Sequence, residues 1–178
     1  FIGSASCILH QGAIPVFVDI DPTTYTIDPS KIEEKITKAT KVIEPVHIYG
    51  LPADMDAVKK IAYSHGLVVV EDACQAHGAE YKGKKAGSLG DMAAFSFNGT
   101  KNMQTGEGGM FVTDSDEYAG TSERVRIFGE ALRSGVPRPY MSYGMGWNYK
   151  SNELSAALGR VQLSKLDETN KARIDMAE

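Results

Sequence analysis

The sequence predicts an α/β fold with a largely parallel sheet. Short apolar segments alternate with helical patterns of about ten residues, and this alternation is typical of β-α-β units. One segment, residues 67–70, is a run of four apolar residues, as expected for a strand that is buried on both faces. Residues that start and end helices separate these segments and support the same interpretation.

The first half of the chain is predicted to alternate regularly between helices and strands. Helices are expected at residues 2–11, from Asp28 onward and from Asp54 onward. Asp28 precedes Pro29, which is favoured at the first helical position, and an aspartate at a helix start accepts hydrogen bonds from free amide groups. The predicted strands are residues 14–18, 41–48 and 67–70.

The second half of the chain contains fewer helical patterns and more glycine. A polar hairpin at residues 81–85 precedes two strands that a glycine-rich segment, residues 105–109, connects. The predicted elements are, in order, the hairpin at 81–85, strands at 93–97 and 110–113, a helix at 114–128, a loop at 129–149 and a final helix capped by Ser151 or Asn152.

Composition bounds the class of protein. The chain has 178 residues, a net charge of −4, 42% hydrophobic residues and 24% charged residues, which fits one globular domain. The negative charge argues against a nucleic-acid partner, and no apolar run approaches the roughly 20 residues of a membrane span. Two cysteines form neither a disulfide framework nor a zinc motif, so we expect a reducing, cytoplasmic setting.

Both ends of the sequence lack the expected boundary signals. The chain begins at Phe1, without Met or a signal peptide, and its last residues read as helix without a stop signal. We therefore expect the 178 residues to be a fragment of a longer protein.

Polar residues follow the predicted strands at their carboxyl ends, where open α/β sheets bind ligands. His47 lies at the end of the strand at 41–48, and Asp72 and Gln75 follow the strand at 67–70. Ser96 lies at the end of the strand at 93–97, and Lys101 follows that strand. We expect an acid, an amide, a hydroxyl and a lysine to converge there. The sequence lacks both the P-loop motif and the G-x-G-x-x-G dinucleotide motif.

Pyridoxal phosphate (PLP) would use such residues, because it bonds to a lysine and pairs its ring nitrogen with an acid. The pattern alone leaves alternatives open. Lys101 also fits a solvated loop lysine, and Asp72 also fits an acid that caps a turn. A metal set of His47, Asp72 and His77 lacks the spacing of known ligand pairs, so no metal site is expected.

Five motifs occur in the order found in one known family. They are GAIPVFVDI at 12–20, VEDACQAHGA at 70–79, GSLGDMAAFSF at 87–97 with Lys101 after it, TGEGGM at 105–110, and GWNY at 146–149. Together they resemble the DegT/DnrJ/StrS family, the sugar aminotransferases of PLP-dependent fold type I. The resemblance implies a three-layer αβα large domain with a mostly parallel sheet of roughly seven strands. Residues 1–178 would be part of this PLP-binding domain, without the upstream phosphate-binding segment and the C-terminal small domain.

The resemblance implies roles for individual residues. Lys101 matches the catalytic lysine that bonds to PLP, and Asp72 matches the acid that faces the pyridine nitrogen. Gln75 matches a residue beside the cofactor ring, and Ser96 matches a phosphate ligand.

Two further matches concern the rim of the site. Asn148 matches an asparagine that reaches the phosphate in the neighbouring subunit, which implies a homodimer with a shared active site. Phe1 falls where the family has an aromatic residue stacked on the ring.

The implied activity is transfer of an amino group from glutamate or glutamine to a keto sugar, often nucleotide-linked, in amino-sugar biosynthesis. Relatives that remove a sugar hydroxyl carry histidine where this chain has Lys101, so transamination is favoured. The alternatives are another PLP-dependent reaction, such as dehydration or bond cleavage, and a non-catalytic regulator that senses a sugar or the cofactor.

Overall fold

The computed structural model describes residues 1–132 and 135–178. The helices are α1 (Ile2–His10), α2 (Met55–Ser64), α3 (Asp116–Arg126), α4 (Glu153–Ser164) and α5 (Leu166–Ala177). The strands are β1 (Val42–Ile43), β2 (Val68–Asp72), β3 (Glu80–Tyr81), β4 (Lys84–Lys85), β5 (Met92–Ser96) and β6 (Gly109–Thr113).

The main sheet is mostly parallel, as the alternating pattern predicts. Its strand order is β1-β2-β5-β6, in which β1, β2 and β5 are parallel and β6 is antiparallel to β5. The described residues supply four strands to this sheet, while the family resemblance implies roughly seven for a complete domain. Strands β3 and β4 form the predicted polar hairpin apart from the sheet.

The apolar core lies between α2 and the sheet. Asp54 begins α2 as predicted, because its carboxylate accepts a hydrogen bond from the amide of Ala57 at 3.3 Å. The helix buries one side against β1 and β2, and the 67–70 run supplies the buried Val69. The core cluster is Ile32, Ile43, Ala53, Met55, Val58, Ala62, Leu67, Val69 and Leu89.

Three predicted elements differ in the structure. The strand predicted at residues 14–18 is wrong: no described strand pairs with this segment, and Ile14 is 84% exposed. The helix predicted from Asp28 is replaced by two short 3-10 turns, Pro29–Lys31 and Glu33–Lys35, although Asp28 does cap the first. The strand predicted at 41–48 is interrupted after β1, because Pro45 has no amide hydrogen to donate, and its pairing resumes only as an isolated bridge between Val46 and Asp72.

The second half of the chain follows the prediction more closely. Ser115 caps helix α3, and Asn152 caps α4 by accepting a hydrogen bond from the amide of Ser155 at 2.8 Å. The predicted loop at 129–149 contains no described helix or strand, and its residues 133 and 134 lie outside the described residues. Across 1–132 and 135–178, every helix is too short or too polar to span a membrane.

Candidate functional site

The strand register brings Asp72 and Ser96 to one face of the sheet. Strands β2 and β5 are parallel neighbours, and Asp72 pairs with Ala94. Ser96 lies two residues beyond Ala94, so its side chain points to the same face as that of Asp72. Both residues end their strands at the carboxyl edge, as the sequence predicts.

Two hydrogen bonds orient the carboxylate of Asp72. Ser4 Oγ, from helix α1, donates to Asp72 Oδ2 at 2.6 Å, and the amide of Cys74 donates to Oδ1 at 3.1 Å. The backbone of Asp72 also pairs with Val46 on one side and with Ala94 of β5 on the other, so neighbouring segments fix it from both sides. Sequence reasoning missed Ser4, because no local signal links residues that are 68 positions apart.

The neighbouring acid, Glu71, has a structural role. Its carboxylate is fully buried and accepts hydrogen bonds from His47 Nε2 at 2.9 Å and from the amides of Gly87, Leu89 and Gly90 at 2.7 Å each. Burial would raise the pKa of Glu71, but these hydrogen bonds outweigh it and hold the pKa below its usual value.

His47 lies in the core and does not join the site, contrary to its expected place among the polar residues of the sheet edge. The ring is fully buried, and its Nδ1 accepts a hydrogen bond from the amide of Ala53 at 3.2 Å. The proton of the ring therefore lies on Nε2, which donates to Glu71. This pair fixes the end of β2 directly before Asp72.

A tight turn presents Lys101 after β5. The side-chain oxygen of Asn98 accepts hydrogen bonds from the amide and hydroxyl of Thr100 at 3.1 and 3.0 Å. The amide of Lys101 donates to the carbonyl of Asn98 at 3.0 Å, and Ser96 Oγ accepts from the amide of Asn98 at 3.3 Å. Lys101 is half-buried, and within the described part of the chain its amine has no ion-pair partner.

Helix α5 connects the two loops that carry the site. Asn170 Nδ2 donates to the carbonyl of His77 at 2.8 Å, and its Oδ1 accepts a hydrogen bond from Asn102 Nδ2 at 3.0 Å. One side chain thus joins the loop after Asp72 to the residue after Lys101. Sequence reasoning missed this bridge, because Asn170 lies 93 positions from His77 and 68 from Asn102.

Gln75 stabilises an adjacent turn. Its Oε1 accepts a hydrogen bond from the amide of Tyr49 at 2.7 Å. Tyr49 adopts a left-handed conformation with φ of 54°, and its ring is 83% exposed. The structure therefore places Gln75 between the loop after β2 and the 48–50 turn.

His77 is buried beside the lysine loop. It is 5% exposed, and its ring lies 5.4 Å from that of Phe95 and 6.1 Å from that of Phe97. Neither ring nitrogen has a hydrogen-bond partner among residues 1–132 and 135–178. Burial lowers the pKa of His77, so the ring is neutral at pH 7. The same ranges contain no group of three His, Cys, Asp or Glu residues arranged to hold a metal ion.

Two predicted site residues lie at the surface. Asn148 is exposed and pairs through its backbone with Ile127. Phe1 is 89% exposed and begins α1, the helix that carries Ser4. Within this chain neither side chain makes a hydrogen bond to Asp72, Ser96 or Lys101 among the described residues.

The chain has an α/β fold whose mostly parallel sheet carries an acid and a serine at its carboxyl edge and a lysine in the turn that follows, in the region where open α/β sheets bind ligands. Comparison with known proteins identifies the family. The model of the DegT/DnrJ/EryC1/StrS aminotransferase family matches residues 1–178, and the chain belongs to this family.

Three curated relatives show the range of names within the family. GDP-perosamine synthase of Caulobacter vibrioides is 45% identical over 173 residues, covering 97% of this chain and 46% of the relative. A pleiotropic regulatory protein of Geobacillus stearothermophilus is 44% identical, over 97% of this chain and 45% of its own length. L-glutamine:2-deoxy-scyllo-inosose aminotransferase of Streptoalloteichus tenebrarius is 42% identical, over 100% of this chain and 43% of its own.

Solved structures agree with the fold. An aminotransferase from Psychrobacter cryohalolentis superposes with a TM-score of 0.88 at 38% identity, covering 94% of this chain and 44% of that one. A Bacillus subtilis protein solved with bound cofactor PMP gives a TM-score of 0.83 at 38% identity, over 93% of this chain and 37% of that one. The chain thus spans slightly less than half the length of the relatives that it matches.

Proposed function

We propose that the protein containing this chain is a PLP-dependent aminotransferase that moves an amino group from glutamate or glutamine to a keto sugar, often nucleotide-linked. The observation that carries the proposal is that Asp72 and Ser96 end neighbouring parallel strands on one face of the sheet, with Lys101 in the turn that follows Ser96. The names of the Caulobacter and Streptoalloteichus relatives support a sugar or cyclitol substrate in amino-sugar biosynthesis.

The residues fit PLP by their chemistry. An oriented carboxylate suits a ring nitrogen that carries a proton, and Asp72 is such a group, with hydrogen bonds from Ser4 and Cys74. A half-buried amine without an ion-pair partner suits a bond to an aldehyde carbon, and Lys101 supplies it. Ser96 Oγ is a donor on the same face for a phosphate oxygen.

Bound PLP supplies an electron sink for the charge that develops at the donor Cα. The residues of this chain do the rest. Asp72 holds a proton on the pyridine nitrogen, because a carboxylate favours an adjacent positive charge. Lys101 Nζ takes the proton from the donor Cα and returns it to the accepting carbon, as a general base and then a general acid. Gln75, which accepts a hydrogen bond from the amide of Tyr49, would hold the loop after β2 in place beside the cofactor.

Further proposals concern the assembly. We propose a homodimer with a shared active site in which Asn148 reaches the cofactor phosphate of the neighbouring subunit, and we propose that Phe1 stacks on the cofactor ring, as the family resemblance implies. Large exposed apolar side chains support an assembly that covers them. They include Ile2, Ile14, Phe17, Met145, Trp147, Leu154 and Leu163. We also propose a cytoplasmic location, because Cys7 and Cys74 are both free thiols.

A regulatory role is the second candidate, because the Geobacillus relative bears a regulator's name. A regulator would bind the cofactor or a sugar without turning over an amino donor.

The test uses the full-length protein with added PLP. We expect wild type to bind PLP covalently and turn yellow, and borohydride reduction should place the cofactor on the peptide that contains Lys101. Lys101→Ala should lose both the covalent label and more than about a thousandfold of the transamination rate, as expected for removal of the proton-transfer group. Lys84→Ala, an exposed lysine of the hairpin, is the matched control and should behave as wild type.

Two results would contradict the proposal. A covalent label that remains in Lys101→Ala would assign the bond to another lysine. If the wild-type protein binds PLP but neither glutamate nor glutamine changes its visible spectrum, the regulator or another PLP-dependent reaction is favoured.

A further inference from the structure

Glu44 shares a sheet face with Asp72. Ile43 pairs with Val69 in the parallel β1–β2 ladder, so the next residue, Glu44, lies opposite Val70. Val70 is two residues before Asp72, and alternate residues of a strand point to the same face. The two carboxyl groups are therefore diagonal neighbours on the face opposite the α2 core.

Helix α1 contacts this face through Ser4. Ser4 Oγ donates to Asp72 at 2.6 Å, and Cys7 lies one turn further along the same helix. The pKa of the Cys7 thiol is raised, first by burial and next by the negative charge of Glu44, with a smaller effect from Asp72. Glu44 and Asp72 thus face the same side of α1.

Among residues 1–132 and 135–178, Glu44 has neither a salt bridge nor a side-chain hydrogen bond that balances its charge. It is half-buried, and its pKa is raised to about 7, first by burial and then by the charge of Asp72. The other titratable groups that face it are Cys7 on α1 and Cys74 after β2. Burial raises the pKa of Cys74 to about 12, with further contributions from Asp72, so this thiol stays neutral. The positive charge of Lys101 has the opposite effect and lowers the pKa of Cys74.

We propose that Glu44 is a positioning residue for the cofactor site, a second carboxyl group that sets how strongly Asp72 attracts the protonated pyridine nitrogen. The inference rests on the proposed PLP site. When Glu44 is ionised, this face of the sheet carries a second negative charge, and a cation at Asp72 is bound more tightly. The coupling is reciprocal, so a bound cation also favours the ionised form of Glu44.

The test compares PLP dissociation constants of full-length wild type and Glu44→Gln at about pH 6 and pH 8.5, measured by fluorescence quenching. Glutamine keeps the shape of the side chain and removes its charge. The two proteins should bind PLP equally at the lower pH, where Glu44 is protonated. At the higher pH the variant should bind about threefold to tenfold more weakly, which corresponds to roughly half to one pKa unit of coupling.

Two controls make the comparison specific. Glu123→Gln changes an exposed glutamate of α3 and should leave the affinity unchanged at both pH values. Glu44→Met, also uncharged, should reproduce the weaker binding at high pH. Equal pH profiles in wild type and Glu44→Gln would overturn the inference.

A second measurement does not depend on the cofactor. Infrared difference spectra of the PLP-free protein should show a carboxyl group that titrates near pH 7 in wild type and not in Glu44→Gln. Absence of this titration would overturn the inference even if PLP binds. If wild type binds no PLP at either pH, the proposed function itself fails. If wild type binds PLP but shows no titration of Glu44, only the inference fails.

Discussion

Replacing Glu71 by glutamine tests the buried pair that supports Asp72. Each carboxylate oxygen of Glu71 accepts two hydrogen bonds: Oε1 from the amides of Leu89 and Gly90, and Oε2 from Gly87 and His47 Nε2. In glutamine one oxygen becomes an NH₂ group, which donates and cannot accept. Whichever way the amide is turned, two buried N–H donors lose their acceptor.

The expected cost follows from these two donors. An unsatisfied buried donor costs about 1–3 kcal/mol, so Glu71→Gln should lower the free energy of unfolding by about 2–6 kcal/mol. This is a large share of the roughly 5–15 kcal/mol that stabilises a typical domain. His47 cannot restore the bond by moving its proton to Nδ1, because Nδ1 already accepts from the amide of Ala53 at 3.2 Å.

Urea unfolding of the full-length protein and hydrogen exchange of residues 87–90 measure the effect. Exchange of these amides should accelerate, since their acceptor is lost. Glu80→Gln, which removes a surface ion pair with Lys85, is the matched control and should change stability by less than about 1 kcal/mol. The reasoning is refuted if the unfolding free energy of Glu71→Gln lies within about 1 kcal/mol of wild type and hydrogen exchange at 87–90 is unchanged.

The same carboxylate contributes to acid sensitivity. Burial opposes ionisation of Glu71, but its hydrogen bonds hold its pKa in the folded protein below the unfolded value of about 4.3. Its stabilisation is therefore fully present above about pH 4.3 and is lost as the pH falls through the folded pKa. Glu71→Gln should lack this part of the acid-induced loss of stability.

Two further predictions concern the loops around the site. Asn170→Ala removes both hydrogen bonds of the bridge and should lower stability by about 1–3 kcal/mol and weaken PLP binding, as measured by urea unfolding and PLP titration. Lys171→Ala is its exposed control, and equal behaviour of the two variants would contradict a role for the bridge. Tyr49→Gly should raise the unfolding free energy by up to about 1 kcal/mol, because glycine adopts a φ of 54° without strain. A lower thermal midpoint for Tyr49→Gly would show that the exposed ring makes stabilising contacts that outweigh the strain.

Local signals in the sequence predicted much of the fold. Asp54 and Asn152 begin helices in the structure as predicted, because a capping carboxylate or amide acts on amides within three residues. The apolar run at 67–70 forms most of the central strand β2, since a strand buried on both faces needs apolar side chains throughout. Residues 14–18 have the same apolar character, but strands need partners, and none pairs with them in the described ranges.

The candidate site was predictable only in part. Asp72 and Ser96 end parallel strands, and strand direction alone brings them to one edge. The residues that support the site could not be predicted, because they are distant in sequence. Ser4 lies 68 positions from its partner Asp72, and Asn170 lies 93 positions from its partner His77. His47 reads as a residue of the sheet edge, yet its hydrogen bonds to Glu71 and Ala53 draw it into the core.

The bridge made by Asn170 bears on how the protein is made. The two loops that it joins follow β2 and β5, whereas Asn170 itself lies in α5, 93 residues after its partner His77. Synthesis proceeds from the N-terminus, and early segments can fold before later ones emerge from the ribosome. The sheet can therefore form on a nascent chain while its lysine loop still lacks a final support. The hydrogen bonds from Asn170 to His77 and Asn102 can form only once α5 has left the ribosome, so the turn that carries Lys101 gains this support late in synthesis.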